Sequence, residues 1–375
     1  MKKDLILFGY TGSIGKQVLE VLSSASCKYR IVGIVSYSRT DGLDKILKKF
    51  KSIEAVGIVK GELNISGKKI YMGNVLQMIS DYKNACVFNA VSGVNGLEVS
   101  LEAIDLGRTL FLANKESIVI GYKLLKKSLK ANPKAKIIPI DSEHSSLYKL
   151  LSLKQKVKSI YITCSGGALR DLPLEKVGSA NYEMVKKHPT WSMGDKITVD
   201  CATLVNKAFE VIEARFFFDY DFDSIHVLMH DESLIHALVE LVDGSFSLEL
   251  ASNDMKIPIA YALNDCKRSE ENFSKFNLVD LHFRKFEEER YPLFRLILNN
   301  FNENTTALAI ISAADEIAVN AFINDEISFK DIYTIIVNTF KRVRQNDVDS
   351  ILDIMHAISE ANRVASEIIE EIRKG

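Results

Sequence analysis

The chain has little of what would mark a secreted, membrane-spanning or zinc-binding protein. Its five cysteines (Cys27, Cys86, Cys164, Cys201 and Cys266) are scattered without a Cys-x-x-Cys pair. That argues against a zinc ribbon or a disulfide framework and fits a reducing cytosol. No run approaches the roughly 18 apolar residues of a transmembrane helix. The opening Met1-Lys-Lys-Asp leads into only four apolar residues before Gly9, which reads as a first strand and not as a signal peptide. Net charge is −1, so no overall field draws in nucleic acid or an anionic membrane, and any anion site is local. None of the seven histidines has a cysteine nearby, and His226 and His230, four apart, lack the Glu of a His-Glu-x-x-His zinc site. There is a single tryptophan, Trp191.

What is present suits a globular protein of more than one core. The 375 residues are 47% hydrophobic and 26% charged, which predicts two or three domains. Strand and helix signals alternate at first. Residues 4–8 read as a buried strand, Gly9-Tyr-Thr-Gly12-Ser-Ile-Gly15 as a glycine turn, and the following residues as a helix. A pyrophosphate meets backbone N–H groups in such a setting. The second strand, 30–36, ends at Tyr37-Ser-Arg39. An acidic residue at that tip would favour NAD; Ser38 and Arg39 suit a 2′-phosphate instead, so NADPH is predicted. Further units follow at 55–59, 85–91, 97–106 and 109–112, the last running into Ala113-Asn-Lys-Glu-Ser117. A strand over 136–140 ends at Asp141-Ser-Glu-His-Ser145. In extended chain Asp141 and Glu143 share a face, and two such carboxylates suit a hard divalent cation, Mg²⁺ or Mn²⁺. The alternative is Asp141 capping the next helix.

From about 150 the alternation loosens. A strand over 158–163 ends in Cys164-Ser-Gly-Gly167, a turn fitted to present N–H groups and a hydroxyl to phosphate. Strands are predicted at 225–229, 238–242 and 246–250, residues 265–290 read as a connecting segment, and the chain beyond about 293 is helical only. Between these lies 188–210. Its first half, with Pro189, Trp191 and Gly194, reads as a loop, and its second half, from Ala202, as a helix. Asn206, Lys207 and Glu210 then share one face. A core helix has no need of that trio; a site for an anionic substrate and a metal has.

Four motifs now stand in order: Gly9-x-Thr-Gly-Ser-Ile-Gly15; Ala113-Asn-Lys-Glu-Ser117; Asp141-Ser-Glu-His-Ser145; and His188-Pro-x-Trp-Ser-Met-Gly194 with Asp200-x-Ala-Thr-x-x-Asn-Lys207 and Glu210. Together with Ala313-Ala-Asp-Glu-Ile-Ala-Val-Asn-Ala-Phe322, the set resembles the 1-deoxy-D-xylulose 5-phosphate reductoisomerase family over almost the whole chain. The resemblance implies an α/β fold with a Rossmann-like N-terminal domain (1–140), an α+β catalytic domain with a flap (141–265), a linker (266–295) and a C-terminal α-helical bundle (296–375). It implies NADPH- and metal-dependent rearrangement and reduction of a phosphorylated sugar, giving 2-C-methyl-D-erythritol 4-phosphate in non-mevalonate isoprenoid synthesis, by a cytoplasmic homodimer.

Carried over position by position, Asp141, Glu143 and Glu210 would ligate the metal, and Lys115 and Ser142 would contact the substrate backbone. Ser165, Cys201, Asn206 and Lys207 would hold the phosphate. His188 and Trp191 belong to a flap that closes over the substrate. Thr11, Gly12, Ser13, Ile14, Tyr37, Ser38, Arg39, Asn114, Glu116 and Gly194 would meet NADPH. Lys115, Asp141, Glu143, His188, Trp191 and Glu210 form the catalytic set.

The chain departs from the family pattern at Tyr10, Ala168-Leu169, Thr190, Cys201 and His230-Asp-Glu-Ser233. Cys201 stands where a serine is usual; its weaker donor should cost on the order of 1 kcal/mol of phosphate binding. Two other readings are an NADPH oxidoreductase sharing only the first domain, which would not need the carboxylates, and a non-catalytic paralogue, which would be expected to lose one of them or Lys207.

Overall fold

Strand and helix alternate through the first 150 residues: β1 (Lys3–Phe8), α1 (Ser13–Leu22), β2 (Tyr29–Ser36), α2 (Leu43–Lys49), β3 (Ala55–Ile58), β4 (Lys69–Met72), α3 (Gln77–Asp81), β5 (Cys86–Asn89), α4 (Gly96–Asp105), β6 (Thr109–Leu112), α5 (Lys115–Ala131), β7 (Lys136–Pro139) and α6 (Ser142–Leu151). The chain continues with β8 (Val157–Cys164), the short α7 (Leu174–Val177) and α8 (Tyr182–Val185), α9 (Asp195–Thr203), α10 (Val205–Phe218), β9 (Ile225–His230), β10 (Ile235–Leu241), β11 (Phe246–Leu250), α11 (Lys256–Ala262) and β12 (Phe283–Arg284). It closes with α12 (Pro292–Asn299), α13 (Ala307–Ile323), α14 (Phe329–Arg342) and α15 (Ile351–Lys374). The computed structural model describes residues 2–24, 27–187, 189–191, 194–270 and 279–374. They fall into two compact units. The first is Met1–Ser117, Leu125–Lys149 and Asp254–Phe276; the second is Ile118–Leu124, Leu150–Asn253 and Asn277–Gly375.

The first unit holds a seven-stranded parallel sheet in the order β4-β3-β2-β1-β5-β6-β7. Leu5, Ile6, Leu7 and Phe8 are all buried, because helices cover both faces of such a sheet. Each contributes about 1.5–3 kcal/mol relative to exposure. The strand order reverses at β1, with β2 on one side and β5 on the other. Ligands bind at such switch points, beyond the strands' C-terminal ends. Gly9 sits there with φ +84°, and a Cβ on it would come within 2.3 Å of the Ala90 carbonyl oxygen. A Cβ on Gly15 would stand 2.2 Å from the Gly9 oxygen. These two glycines let α1 start against the loop, whereas a Cβ on Gly12 meets nothing nearer than 3.4 Å.

The first unit also takes back a later segment. α11 packs on α1, and Ile259, Ala260 and Leu263 join the core of the parallel sheet. Asp265 accepts from Lys3 Nζ at 2.6 Å and from the Tyr29 hydroxyl at 3.0 Å. The expected boundaries, 1–140 and 141–265, follow chain order and omit this return. Its cause is the apolar stripe of α1, which α11 helps to cover.

The second unit is built on a mixed sheet in the order β11-β10-β8-β9-β12. β12 lies within the segment expected to be only a connection; it pairs with β9 through Phe283–His230 and Arg284–Met229. Beyond 293 the chain is helical as expected: α14 and α15 are amphipathic, α13 is apolar over most of its surface, and the three pack on one another. Ser328 and Asp331 form the capping box that opens α14. The expected helix from Ala202 is interrupted. α9 ends at Thr203, Leu204 takes a left-handed φ of 55°, and α10 starts at Val205.

Two of the sequence departures act together in the turn after β9. Asp231 pairs with Arg284 at 2.6 Å, and its carbonyl accepts from Arg170, which also donates to the Ser165 carbonyl. Glu232 accepts from the His282 backbone N–H at 3.0 Å and lies 2.6 Å from His282 Nδ1. Against the opposing effect of burial, these bonds pull the Glu232 carboxyl down to about 2. The Glu232 contact raises the pKa of His282.

The glycine contacts predict that Gly15→Ala lowers stability by about 1–3 kcal/mol or more, as overpacking against backbone does. Gly12→Ala should leave the thermal midpoint near wild type; calorimetry on both variants checks this. The His282–Glu232 contact predicts a pH signature. A raised histidine contributes fully below its ordinary value of 6.5, and the contribution is lost as pH rises through the raised value. The depressed glutamate contributes above its ordinary 4.5 and loses this as pH falls towards about 2. His282→Gln should therefore lower the unfolding midpoint most at about pH 5–6, the gap closing in alkaline solution. Equal gaps at both ends would refute it.

Candidate active site

At the switch point of the first unit, α1 begins at Ser13 with Gly12 as its N-cap. Gly12 and Ser13 are exposed, and Thr11 and Ile14 half-buried, so the positive end of the helix faces outward and suits an anion. Across from it the tip Tyr37-Ser38-Arg39 is exposed. Arg39 Nε lies 2.7 Å from Asp41. The departure at Tyr10 has a place here: its ring is buried and its hydroxyl donates to the Arg39 carbonyl at 3.4 Å, tying the glycine loop to the tip. Asn114 caps α5 by accepting from the Ser117 N–H. Its Nδ2 donates to the Val91 and Gly93 carbonyls and to Glu116. Its side chain therefore ties the loop after β5 to the start of α5, and a Cβ on Gly96 would strike it at 2.3 Å.

Asp141 and Glu143 are not in extended chain. β7 stops at Pro139 and α6 starts at Ser142, so the alternation argument does not hold. The capping geometry does: Asp141 Oδ1 accepts from the Glu143 N–H at 3.2 Å. Lys115 Nζ is 3.1 Å from Asp141 Oδ2, and His144 Nδ1 is 3.0 Å from Oδ1. Ser142 Oγ donates to Glu143 Oε2 at 2.5 Å. His144 carries no assignment from the sequence. Its ring is buried and orients Asp141; the three-residue spacing on a helix was the available signal. Two adjacent carboxylates with only oxygen donors are the chemistry a hard divalent cation takes.

In the second unit, α10 carries Asn206, Lys207 and Glu210, all buried. Asn206 Nδ2 donates to Glu210 Oε1 at 2.5 Å. Lys207 Nζ donates to Glu210 Oε2 and to the Thr163 carbonyl at the end of β8. Beyond β8, Ser165 Oγ accepts from the Gly167 N–H at 3.1 Å. Gly166 and Gly167 both have positive φ, and the Gly166 carbonyl accepts from Tyr291 at 2.8 Å. A Cβ on Gly167 would stand 2.6 Å from Ala202 Cα and 2.7 Å from the Cys201 oxygen. The turn thus lies directly on α9, with Cys201 at its side.

Gly194 is exposed at the N-cap of α9. Thr190 Oγ1 bonds to Ser233 Oγ at 3.0 Å, and the Trp191 ring centre is 6.1 Å from that of His236. His188 lies outside the described residues.

Comparison with known proteins identifies the arrangement. Family models for 1-deoxy-D-xylulose 5-phosphate reductoisomerase match residues 5–121, and models for its C-terminal domains match 137–218 and 250–364. The 1-deoxy-D-xylulose 5-phosphate reductoisomerase of Thermotoga neapolitana is 38% identical over 373 residues, covering 98% of both chains. Among solved structures, the Zymomonas mobilis enzyme in complex with NADPH superposes with a TM-score of 0.88 at 27% identity, over 99% of this chain and 100% of that one. A complex of the reductoisomerase with NADPH, fosmidomycin and magnesium gives 0.88 at 29%, covering 100% of each. Matches beyond the first domain exclude an oxidoreductase that shares only the nucleotide-binding part. The chain belongs to the 1-deoxy-D-xylulose 5-phosphate reductoisomerase family.

Proposed function

We propose that this chain performs its family's reaction with the residues described above. The reaction is the NADPH-dependent conversion of 1-deoxy-D-xylulose 5-phosphate into 2-C-methyl-D-erythritol 4-phosphate. The observation that carries the residue assignment is the buried trio on α10. Lys207 and Glu210 stand as a buried ion pair, whose breaking costs about 3–5 kcal/mol, and in this reading the phosphate and the cation replace each partner in turn. The substrate phosphate takes Lys207 and Asn206, with Ser165 Oγ, the Gly166–Gly167 turn and the Cys201 thiol beside it. Charge-assisted bonds to phosphate are about twice as strong as neutral ones.

Asp141, Glu143 and Glu210 would hold the divalent cation, Mg²⁺ or Mn²⁺. When bound, it supplies Lewis-acid polarisation of the substrate's oxygens and a template for the rearrangement. Lys115 balances the charge of Asp141, and His144 fixes its orientation. Lys115 and Ser142 reach the substrate backbone. NADPH, held by residues 11–14, the 37–39 tip, Glu116 and Gly194, supplies the hydride. Trp191 would cover the site and exclude water from the aldehyde formed before reduction. The setting is the cytoplasm. No cysteine is paired in a disulfide among the described residues, and no described helix is long and apolar enough to cross a membrane.

The oligomeric state is a homodimer. Edge strand β11 presents Phe246 and Leu248 on one face, 52% and 45% exposed, with Val242 at 64% on the preceding turn. A second copy of this edge is the occupant that fits, since isologous pairing covers both at once.

Purified protein with Mg²⁺ or Mn²⁺ should oxidise NADPH only when 1-deoxy-D-xylulose 5-phosphate is added, and EDTA should stop it. Glu210→Gln should cut turnover by on the order of a hundredfold or more while NADPH still binds; retained turnover removes Glu210 from the metal ligands. Light scattering should give twice the chain mass, and Phe246→Glu with Leu248→Glu should halve it. A monomeric wild type refutes the dimer.

A further inference from the structure

The C-terminal helices carry one side chain that core packing does not require. α13 is apolar over most of its surface, yet Asp315 sits in its middle with no exposed area. Lys196 reaches it, with Nζ 2.5 Å from Asp315 Oδ2 and also 2.5 Å from Asp200 Oδ2. Asp200 is itself buried, while the Lys196 side chain is 32% exposed. Burying a carboxylate costs several kcal/mol unless it is paired. A helix serving only as core would do better with an apolar residue at 315.

Lys196 and Asp200 lie one turn apart on α9, so the ammonium joins that turn to α13. The residue after Asp200 is Cys201. The Cys201–Ala202 backbone is packed so closely on Gly167 that no Cβ fits between them. α9 runs unbroken from Asp195 to Thr203, and only Leu204 separates it from α10 with Asn206 and Lys207. A shift of α9 along α13 is therefore passed straight to the Ser165–Gly167 turn.

We propose that Asp315 is a positioning residue for the phosphate end of the substrate: through Lys196 it sets where α9 places the Cys201 side of that site. This rests on the phosphate assignment made above. It makes the C-terminal bundle part of what determines substrate affinity. Hydrogen bonds weaken steeply with misalignment, so a displacement of a few tenths of an ångström at α9 is enough.

The test uses the full chain with its metal and NADPH. Asp315→Leu removes the acceptor. It should raise KM for the sugar phosphate about tenfold, with kcat within about twofold and the NADPH dissociation constant unchanged. The inhibition constant of inorganic phosphate, competing with substrate, should rise in parallel. Asp315→Asn keeps an oxygen for Lys196 and should restore most of the affinity. Lys196→Met, at a partly exposed position, should reproduce Asp315→Leu and serves if that variant does not fold. An unchanged KM and phosphate inhibition constant in a folded variant overturn the proposal, as does an equal loss of NADPH affinity and kcat. A wild type indifferent to inorganic phosphate overturns the phosphate assignment and this proposal with it.

Discussion

A lysine ammonium and a glutamate carboxylate, both almost without exposed area, meet on α10. Bringing two ions out of water costs several kcal/mol each, and their attraction offsets this only when further bonds complete both shells. Here Asn206 takes the second carboxylate oxygen and the Thr163 carbonyl takes another ammonium proton. Val205, Ala208, Phe209, Val211 and Ile212 bury the helix on its other faces. The same groups that close the shells internally are those a phosphate and a cation would use.

Two turns have no room for a Cβ. Gly9 and Gly15 bring α1 against the end of β1, and Gly166 and Gly167 bring the end of β8 against α9. The first leaves the start of α1 exposed; in the second, which is buried, the Gly167 N–H is held by Ser165 Oγ. Their side-chain companions differ in kind. The cofactor loops are tied by neutral bonds from Asn114 and Tyr10. The turn after β8 is tied by charged side chains: Arg170 donates to the Ser165 and Asp231 carbonyls, and Arg284 pairs with the Asp231 carboxylate. The acidic residues that depart from the family pattern after β9 thus extend a charged clasp whose far end reaches the Ser165 carbonyl.

α9 organises its own unit. Its start is the Gly194 cap, its middle is fastened by Lys196 to Asp200 and Asp315, and its end is the floor of the glycine turn. The left-handed Leu204, costing about 1–2 kcal/mol for a non-glycine residue, turns the chain so that α10 can direct its own polar face separately.

Periodicity and motif order by themselves determined the parallel sheet, the glycine turn, the helical C-terminal region and the trio on α10. These are local or repeating signals: spacing of two or 3.6, a glycine where no side chain fits, and three polar residues on one helix face. Resemblance across four ordered motifs supplied the family. Tertiary structure decided the rest, because it depends on partners distant in sequence. Asp141 reads as strand or cap from its neighbours alone; Lys115 and His144 beside it settle its environment. The return of α11 to the first sheet, β12 inside an apparently charged connection, and the break at Leu204 have no periodic signature. Asp315, in the middle of an apolar stripe, reads as an ordinary acidic residue until Lys196, 119 residues away, is placed beside it.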